Sequence, residues 1–592
     1  MSTPESAPNL APIPSSQPTA TARPPLRLLA PAIALAIFWT YTLAAPYVEL
    51  AMLHRFLSRM AVTTLLLLTT LIWWFASRHF RWRAKLLVPA VALASLVVAS
   101  RVSDPSVDAF GMILSGVPWI ATLGVAWLAL TRSSRPLTRL LGLSAVPVLV
   151  FGVFALLRWE GLDGRQSSQF AWRWTPSREE RFLASRAGVV PEITLPSENW
   201  IEQPGDWTSF RGGAREGAVA NVALADWAQH PPRLVWKQAV GPAWSSMILV
   251  DGRLVTQEQR GEVETIVCYD AAMGQEQWTH DDSFRFYEAL SGPGPRGTPT
   301  FADGRIYASG ATGLLNCLES ADGRCVWSQN ALQSAGGAVP QWGFSVSPLV
   351  VDGMVVLFAG GGEGRSLVAL DAETGEQRWA APGGTQSYSS PQLMTIHGVR
   401  QIVMQDNRGL MGVAVDDGRV LWRHASDSET AQPMLQPHLV GEGRLIAGWD
   451  NGIIRLALTP ADGEWSVVQE WTSNALKPSF NDFALHKGHL YGLDDGIFCC
   501  VDAETGKRRW KKGRYGFGQQ LLIPDQDRIL VLGEKGNVIL VAANPERHEE
   551  LGEFQAISGK CWNHPILAHG RLYVRSDEEL ACFDITPPTE TP

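Results

Sequence analysis

The chain has 592 residues, 46% hydrophobic and 18% charged, with 50 Lys+Arg against 58 Asp+Glu and a formal net charge of −8. The charge is divided: residues 1–160 hold 13 Lys+Arg and 5 Asp+Glu, a net of +8, which leaves −16 for the remainder. That length calls for more than one domain, and an acidic C-terminal part excludes nucleic acid and anionic lipid as its partners.

Residues 1–25 are rich in Pro, Ser, Thr and Ala and read as a disordered tail. Five apolar runs follow within 26–158, near Leu28–Ala45, Ala61–Ser77, Leu86–Ser100, Phe110–Leu130 and Leu140–Leu157. Each is about the length that crosses a bilayer, the third being short at those ends, so the expectation is a five-helix transmembrane domain. A cleaved signal peptide would be a single run. Arg23, Arg27, Arg78, Arg81, Arg83, Lys85, Arg132, Arg135 and Arg139 fall in alternate connections, against Arg55, Arg59 and Arg101 in the others. The excess of cations places the N-terminus in the cytoplasm and, after an odd number of crossings, the rest of the chain in the periplasm of a bacterial inner membrane. Trp39, Tyr41, Trp73, Trp74 and Trp82 stand near the run ends, where an aromatic belt sits. No paired intramembrane carboxylates or histidines mark a proton path.

Residues 159–205 form a polar linker with a short helix over Ser177–Arg186, and Trp172 and Trp174 can tuck against the membrane or the following domain.

From 206 to 586 a repeat takes over. Its clearest copy is Val501–Trp510, V-D-A-E-T-G-K-R-R-W: Asp502 and Thr505 hold a turn, Gly506 turns it, and Trp510 packs on the next strand. Sister copies end at Trp278, Trp327, Trp379 and Trp422, with a weaker one at Trp471. Successive tryptophans are 49, 52, 43, 49 and 39 residues apart, the period of a β-propeller with one four-stranded blade per repeat. Hairpin turns at Asp251, Asp303, Asp352, His397, Glu442, Lys487, Asp527 and His569 count eight blades. The last blade ends after Asp584 with its inner strands only, while Leu234–Val240 is an orphan strand before the first, so the orphan closes the ring as the outer strand of the last. Seven blades would result if the divergent stretch Pro524–Glu553 failed to form a blade. Residues 587–592 are a tail. The fold class is therefore an N-terminal α-helical membrane domain plus an all-β eight-bladed propeller.

The string opening at Asp206, D-W-T-S-F-R-G-G-A-R-E-G, with Trp207, Phe210, Arg211, Gly212, Arg215 and Gly217, resembles the opening motif of bacterial PQQ-like β-propeller repeat proteins. The D-A-x-T-G-x-x-x-W copies resemble the tryptophan-docking motifs of the quinoprotein alcohol dehydrogenase-like superfamily. Together the matches cover roughly 206–585 and specify fold more than activity. Helices followed by a propeller resemble the layout of membrane-bound quinoprotein glucose dehydrogenases. At about 46 residues per blade, however, there is little room for pocket-building loops, and the domain looks more like the outer-membrane assembly propeller lipoprotein, a scaffold without cofactor.

Cys499-Cys500 could be taken for the vicinal disulfide that the resemblance associates with a quinone site. Cys500 instead falls two residues before Asp502, as Cys268, Cys317 and Cys582 precede their own turn acids, which makes it a packing position. Ligands of propellers sit over the central channel, where residues enter each innermost strand. That ring contains Ser246, Thr298, Ser347, Ser390, Gln436, Asp482, Gln520 and His564, with Trp244, Glu288, Arg296, Trp342, Tyr388, Lys477, Asn481 and Trp562 nearby. For a working dehydrogenase the resemblance implies Ca²⁺ bound by Glu and Asn oxygens, a carboxylate base, a cation near the quinone and an aromatic floor; Glu288, Asn481, Asp482, Arg296 and Trp342 could be offered for these roles. No catalytic residue and no metal site is assigned. The expectation is a membrane-anchored periplasmic propeller that scaffolds or binds, with the lipid bilayer and a periplasmic protein or small ligand as partners and no nucleic acid. The alternative is a PQQ-dependent alcohol or sugar dehydrogenase passing electrons to membrane quinone, and PQQ and Ca²⁺ are cofactors only under that alternative.

Overall fold

The computed structural model describes residues 28–45, 48, 52–164, 168–186, 200–288, 290–362, 364–426, 432–461 and 463–587. The predicted N-terminal tail 1–25, which includes Arg23, then residues 26 and 27 with Arg27, and residues 588–592 of the predicted C-terminal tail lie outside them. The chain divides into two units, Met1–Arg158 and Trp159–Pro592.

In the first unit the five apolar runs form helices α1 (Leu29–Ala44), α2 (Met52–Ala76), α3 (Trp82–Val102), α4 (Ala109–Leu130) and α5 (Pro136–Phe154). Four of them, α2 to α5, are long and apolar enough to cross a membrane. With 16 residues α1 falls short of the roughly 20 that a perpendicular span needs. Arg55 and Arg59, expected in a connection, belong to the first turns of the 25-residue α2. Asp108 caps α4 by accepting from Gly111 N at 2.6 Å.

The second unit is a ring of eight four-stranded antiparallel sheets, with two further two-stranded sheets. The blades span 248–282, 300–330, 349–381, 392–425, 438–473, 483–514, 519–555 and 566–584. The eighth takes its outer strand from Arg233–Ala239, which pairs with Glu579–Asp584 as the orphan strand predicts. The divergent stretch forms a complete seventh blade.

The repeat works as follows. Asp502 Oδ1 accepts from Glu504 N, Thr505 N and Thr505 Oγ1 at 3.1, 2.8 and 2.9 Å, so one carboxylate closes the turn. The strand that follows places Trp510 directly opposite Cys500. The same Cys–Trp pairing recurs at Cys268–Trp278, Cys317–Trp327 and Cys582–Trp236, so these thiols are packing residues; all seven cysteines are free. Six of the tryptophans then dock on the next blade, the indole N–H donating to a carbonyl in that blade's turn: Trp236 to Ala271, Trp278 to Ser320, Trp327 to Ala372, Trp379 to Val415, Trp471 to Glu504 and Trp510 to Asn544, all at 2.9–3.1 Å, whereas Trp422 donates to Gln401 Oε1 of its own blade at 2.6 Å. The ring face lies on the turn glycine. A Cβ on Gly323 would stand 2.4 Å from the Trp278 ring, and its φ of +70° already favours glycine.

Blade 7 carries Gly552 where the docking tryptophan belongs. Trp227, from the segment before the orphan strand, fills that place: a Cβ on Gly552 would meet Trp227 Cβ at 2.9 Å, and the Trp227 ring meets Phe554 edge-on at 5.6 Å. Blade 5 breaks the pattern differently. Arg455 occupies the cysteine position opposite Trp471 and is buried, with Nε 2.6 Å from Glu470 and Nη2 2.8 Å from Glu504.

The linker holds its predicted helix, α6 (Arg178–Arg186), behind a capping box in which Ser177 Oγ accepts from Glu180 N at 3.0 Å and Glu180 Oε2 from Ser177 N at 2.5 Å. It also holds a hairpin, Leu157–Leu162 with Ser168–Trp172, absent from the sequence reading. Trp172 and Trp174 stack on each other at 5.1 Å.

Candidate channel site

The eight residues that open the innermost strands join successive blades. Ser246 N donates to Thr298 Oγ1 at 3.1 Å, Thr298 N to Ser347 Oγ at 2.9 Å and Ser347 N to Ser390 Oγ at 2.9 Å. Gln436, its amide oriented to satisfy both partners, donates to Ser390 O at 2.7 Å and accepts from Ser390 N at 2.9 Å. Farther round, Asn481 Nδ2 donates to Gly518 O at 2.6 Å, and Ser246 Oγ returns to His564 O at 2.6 Å. Ser246, Ser347, Ser390 and Asn481 are thus buried in a belt between blades rather than presented to the channel.

The channel is crossed by the chain itself. Trp207 exchanges backbone hydrogen bonds with Leu249 of blade 1 at 2.8 Å in each direction, and Ala218 bridges to Leu522 of blade 7. Between these anchors Arg211 and Arg215 adopt φ of +63° and +57°, uncommon for a residue with a side chain, and their guanidinium groups point into the ring. Arg215 donates to Pro391 O at 2.7 Å, to Ser347 O at 3.3 Å and to Pro348 O, and to Thr300 Oγ1 at 3.4 Å. Arg211 Nε lies 2.7 Å from Asp482 Oδ2, and its Nη groups donate to Arg215 O and Glu216 O. His438 Nε2 is 3.3 Å from Asp482 Oδ1, and Phe210 meets the His564 ring edge-on at 5.0 Å.

Burial sets the electrostatics. It would raise the Asp482 carboxyl, but Arg211 and His438 outweigh it and hold it at about 2. Burial lowers Arg215 to about 9, helped by the neighbouring Arg211 charge. It pushes His564 down to about 3 against the pull of Asp482, and His564 Nδ1 has no hydrogen-bond partner among the described residues.

The remaining predicted residues fall into two groups on the rim. Trp244 packs on Trp562 at 4.8 Å and Trp562 on Phe480 at 4.9 Å, with Lys560 Nζ 5.6 and 4.6 Å from the two tryptophan rings. The other group is Trp342 against Tyr388 at 5.2 Å, with Arg296 over Phe286 at 4.5 Å. Burial lowers Arg296 to about 10 despite Glu288, 3.9 Å away. Glu288 itself closes its own turn, accepting from Leu290 N at 2.8 Å and Ser291 N at 2.5 Å. Lys477 pairs with Asp494 at 2.7 Å. Glu288 and Asp482 therefore have other partners, whereas Asn481 is held through Nδ2 and its buried Oδ1 has no hydrogen-bond partner among the described residues; no group of three His, Cys, Asp or Glu side chains suited to a metal occurs among the described residues.

Sequence reasoning missed Arg211 and Arg215 as channel residues, and Phe480, Lys560 and Glu534 on the rim. One signal was present: Asp482 is the single carboxylate among eight ring positions, and a buried carboxylate needs a cation.

Fold and site define an eight-bladed β-propeller whose channel is closed by its own lead-in segment, carried on a chain with apolar N-terminal helices. Residues 262–512 match the family described as outer membrane protein assembly factor BamB. The chain is 25% identical over 181 residues to the outer membrane protein assembly factor BamB of Escherichia coli (strain K12), covering 30% of this chain and 43% of that protein. It is 29% identical over 291 residues to the quinohemoprotein alcohol dehydrogenase of Comamonas testosteroni, covering 44% of this chain and 39% of that one. It thus spans less than half the length of these two relatives. The crystal structure of BamB from Moraxella catarrhalis superposes with a TM-score of 0.43 at 12% identity, covering 61% of this chain and 99% of that chain.

Proposed function

We propose that the chain is a membrane-anchored bacterial scaffold whose periplasmic propeller binds a partner through the rim of its channel face. The observation that carries this reading is the Arg211–Asp482 pair inside the channel, 2.7 Å apart. A calcium-bound quinone needs free carboxylate oxygens and a base able to take a proton near neutral pH. Asp482 is instead the counter-ion of Arg211, held at about 2, and Glu288 caps its own turn. That donor set does not fit the cofactor. Likeness to an outer membrane protein assembly factor supports a protein as the partner. The cation asymmetry of the helix connections supports the periplasmic placement.

Titration of the purified protein with PQQ and Ca²⁺ tests the reading. No retained quinone absorbance and no alcohol-dependent dye reduction are expected, and turnover with retained quinone would overturn it. A PQQ-dependent dehydrogenase is the second reading, supported by the likeness to the quinohemoprotein alcohol dehydrogenase.

A further inference from the structure

The rim over blades 7 and 8 is already occupied. Gly164 N donates to Glu534 Oε1 at 2.6 Å, Lys560 Nζ donates to Leu162 O at 2.7 Å, and Leu162 N donates to Leu290 O at 3.3 Å. Gly164 lies flat on Phe517, where a Cβ would stand 2.3 Å from the ring. Glu534 is fixed from behind by Trp562 Nε1 at 3.2 Å and Phe517 N at 3.2 Å, and Lys560 sits between Trp244 and Trp562. An acceptor, a donor and an aromatic floor are thus set to read the backbone of a strand end and the turn that follows it, and to demand glycine at one position. Helix α6 holds the linker on the same blade and its neighbour through Arg178 with Asp577, and through Glu179 with Arg285 at 2.8 Å.

We propose that this rim is a peptide-binding groove, filled by the chain's own Leu162–Gly164, and that a glycine-containing turn of a partner peptide takes the same place when the strap leaves. The inference rests on the scaffold reading above and names the chemistry of its partner. The occupant belongs to a two-stranded hairpin, marginal by itself, and its polar contacts at the groove include the three above. As an intramolecular ligand it competes with any free peptide at a high effective concentration, so the intact protein binds such a peptide weakly.

The test uses the full chain in detergent or nanodiscs and a fluorescent peptide with the sequence of residues 157–172. Gly164→Val cannot seat on Phe517. Faster amide exchange in 157–172 and peptide binding roughly tenfold tighter than wild type are expected, as for the loss of one competing contact of this kind. Adding Glu534→Gln to Gly164→Val should remove that gain. Unchanged exchange in Gly164→Val, or faster exchange with no gain in binding, would overturn the groove. Those results would leave the quinone titration as it stands, and retained quinone would sink the scaffold reading without touching the peptide measurement.

Discussion

Arg211 and Asp482 stabilise one another across the channel, and each is buried, so neither can lose its partner without leaving a charge in low dielectric. Asp482→Asn should cost about 3–5 kcal/mol, read as a fall in the thermal midpoint of the propeller; a midpoint unchanged within error would remove the pair from the stability of the ring. The acid limb has two parts. His564 has a folded value of about 3 against an ordinary 6.5, so between these values the unfolded chain binds the extra proton, and stability falls as pH drops through that window. At pH 5 the loss is about 2 kcal/mol relative to pH 7, and His564→Gln should flatten the slope by that share; an unaltered slope in denaturant titrations would contradict it. Asp482, depressed to about 2 from 3.8, contributes stability that is full above its unfolded value and is lost only as pH falls through 2.

Among the elements, the turn-and-tryptophan unit makes the propeller a head-to-tail ring, and its exceptions are the informative copies. Trp227 substitutes from outside the blade for the tryptophan that blade 7 lacks, so Trp227→Ala should destabilise by about 3–5 kcal/mol, as the loss of a regular docking tryptophan would. Equal stability of the variant and wild type in chemical denaturation would show that blade 7 docks without it. Gly323→Ala should cost about 1–3 kcal/mol through both its φ and the Trp278 ring. Helix α1 decides topology: five crossings put the two ends of the chain on opposite sides of the membrane, four put them on the same side. A periplasm-dependent reporter fused after Pro592 should be active; cytoplasmic activity would mean that α1 does not cross.

At the scale of the whole molecule, the ring is closed by Arg233–Ala239 on the last blade, and its channel is closed by residues 207–218. Removing the closing strand should replace a single unfolding transition by an early loss of blade 8, visible as non-coincident transitions by tryptophan fluorescence and circular dichroism. Blade number, ring closure and the role of Cys500 were legible in the sequence because a repeat states its own register: local turn chemistry at Asp502–Gly506 and a tryptophan at a fixed distance recur in nearly every blade. The apolar N-terminal helices were legible for the same local reason, a sustained run of apolar residues, although α1 formed short and α2 began earlier than its apolar core. The hairpin at Leu157–Trp172 was not, because its partners Leu290, Glu534 and Lys560 lie far away in the chain. Ser246, Ser347 and Ser390 precede their innermost strands, and only the spacing of neighbouring blades turned their hydroxyls into bridges. The sequence by itself determined the fold, since period and turn chemistry act over a few residues. Only the tertiary structure decided that Arg211 and Arg215 fill the channel, because a buried charge finds its partner across the ring, at a separation along the chain that no local pattern records.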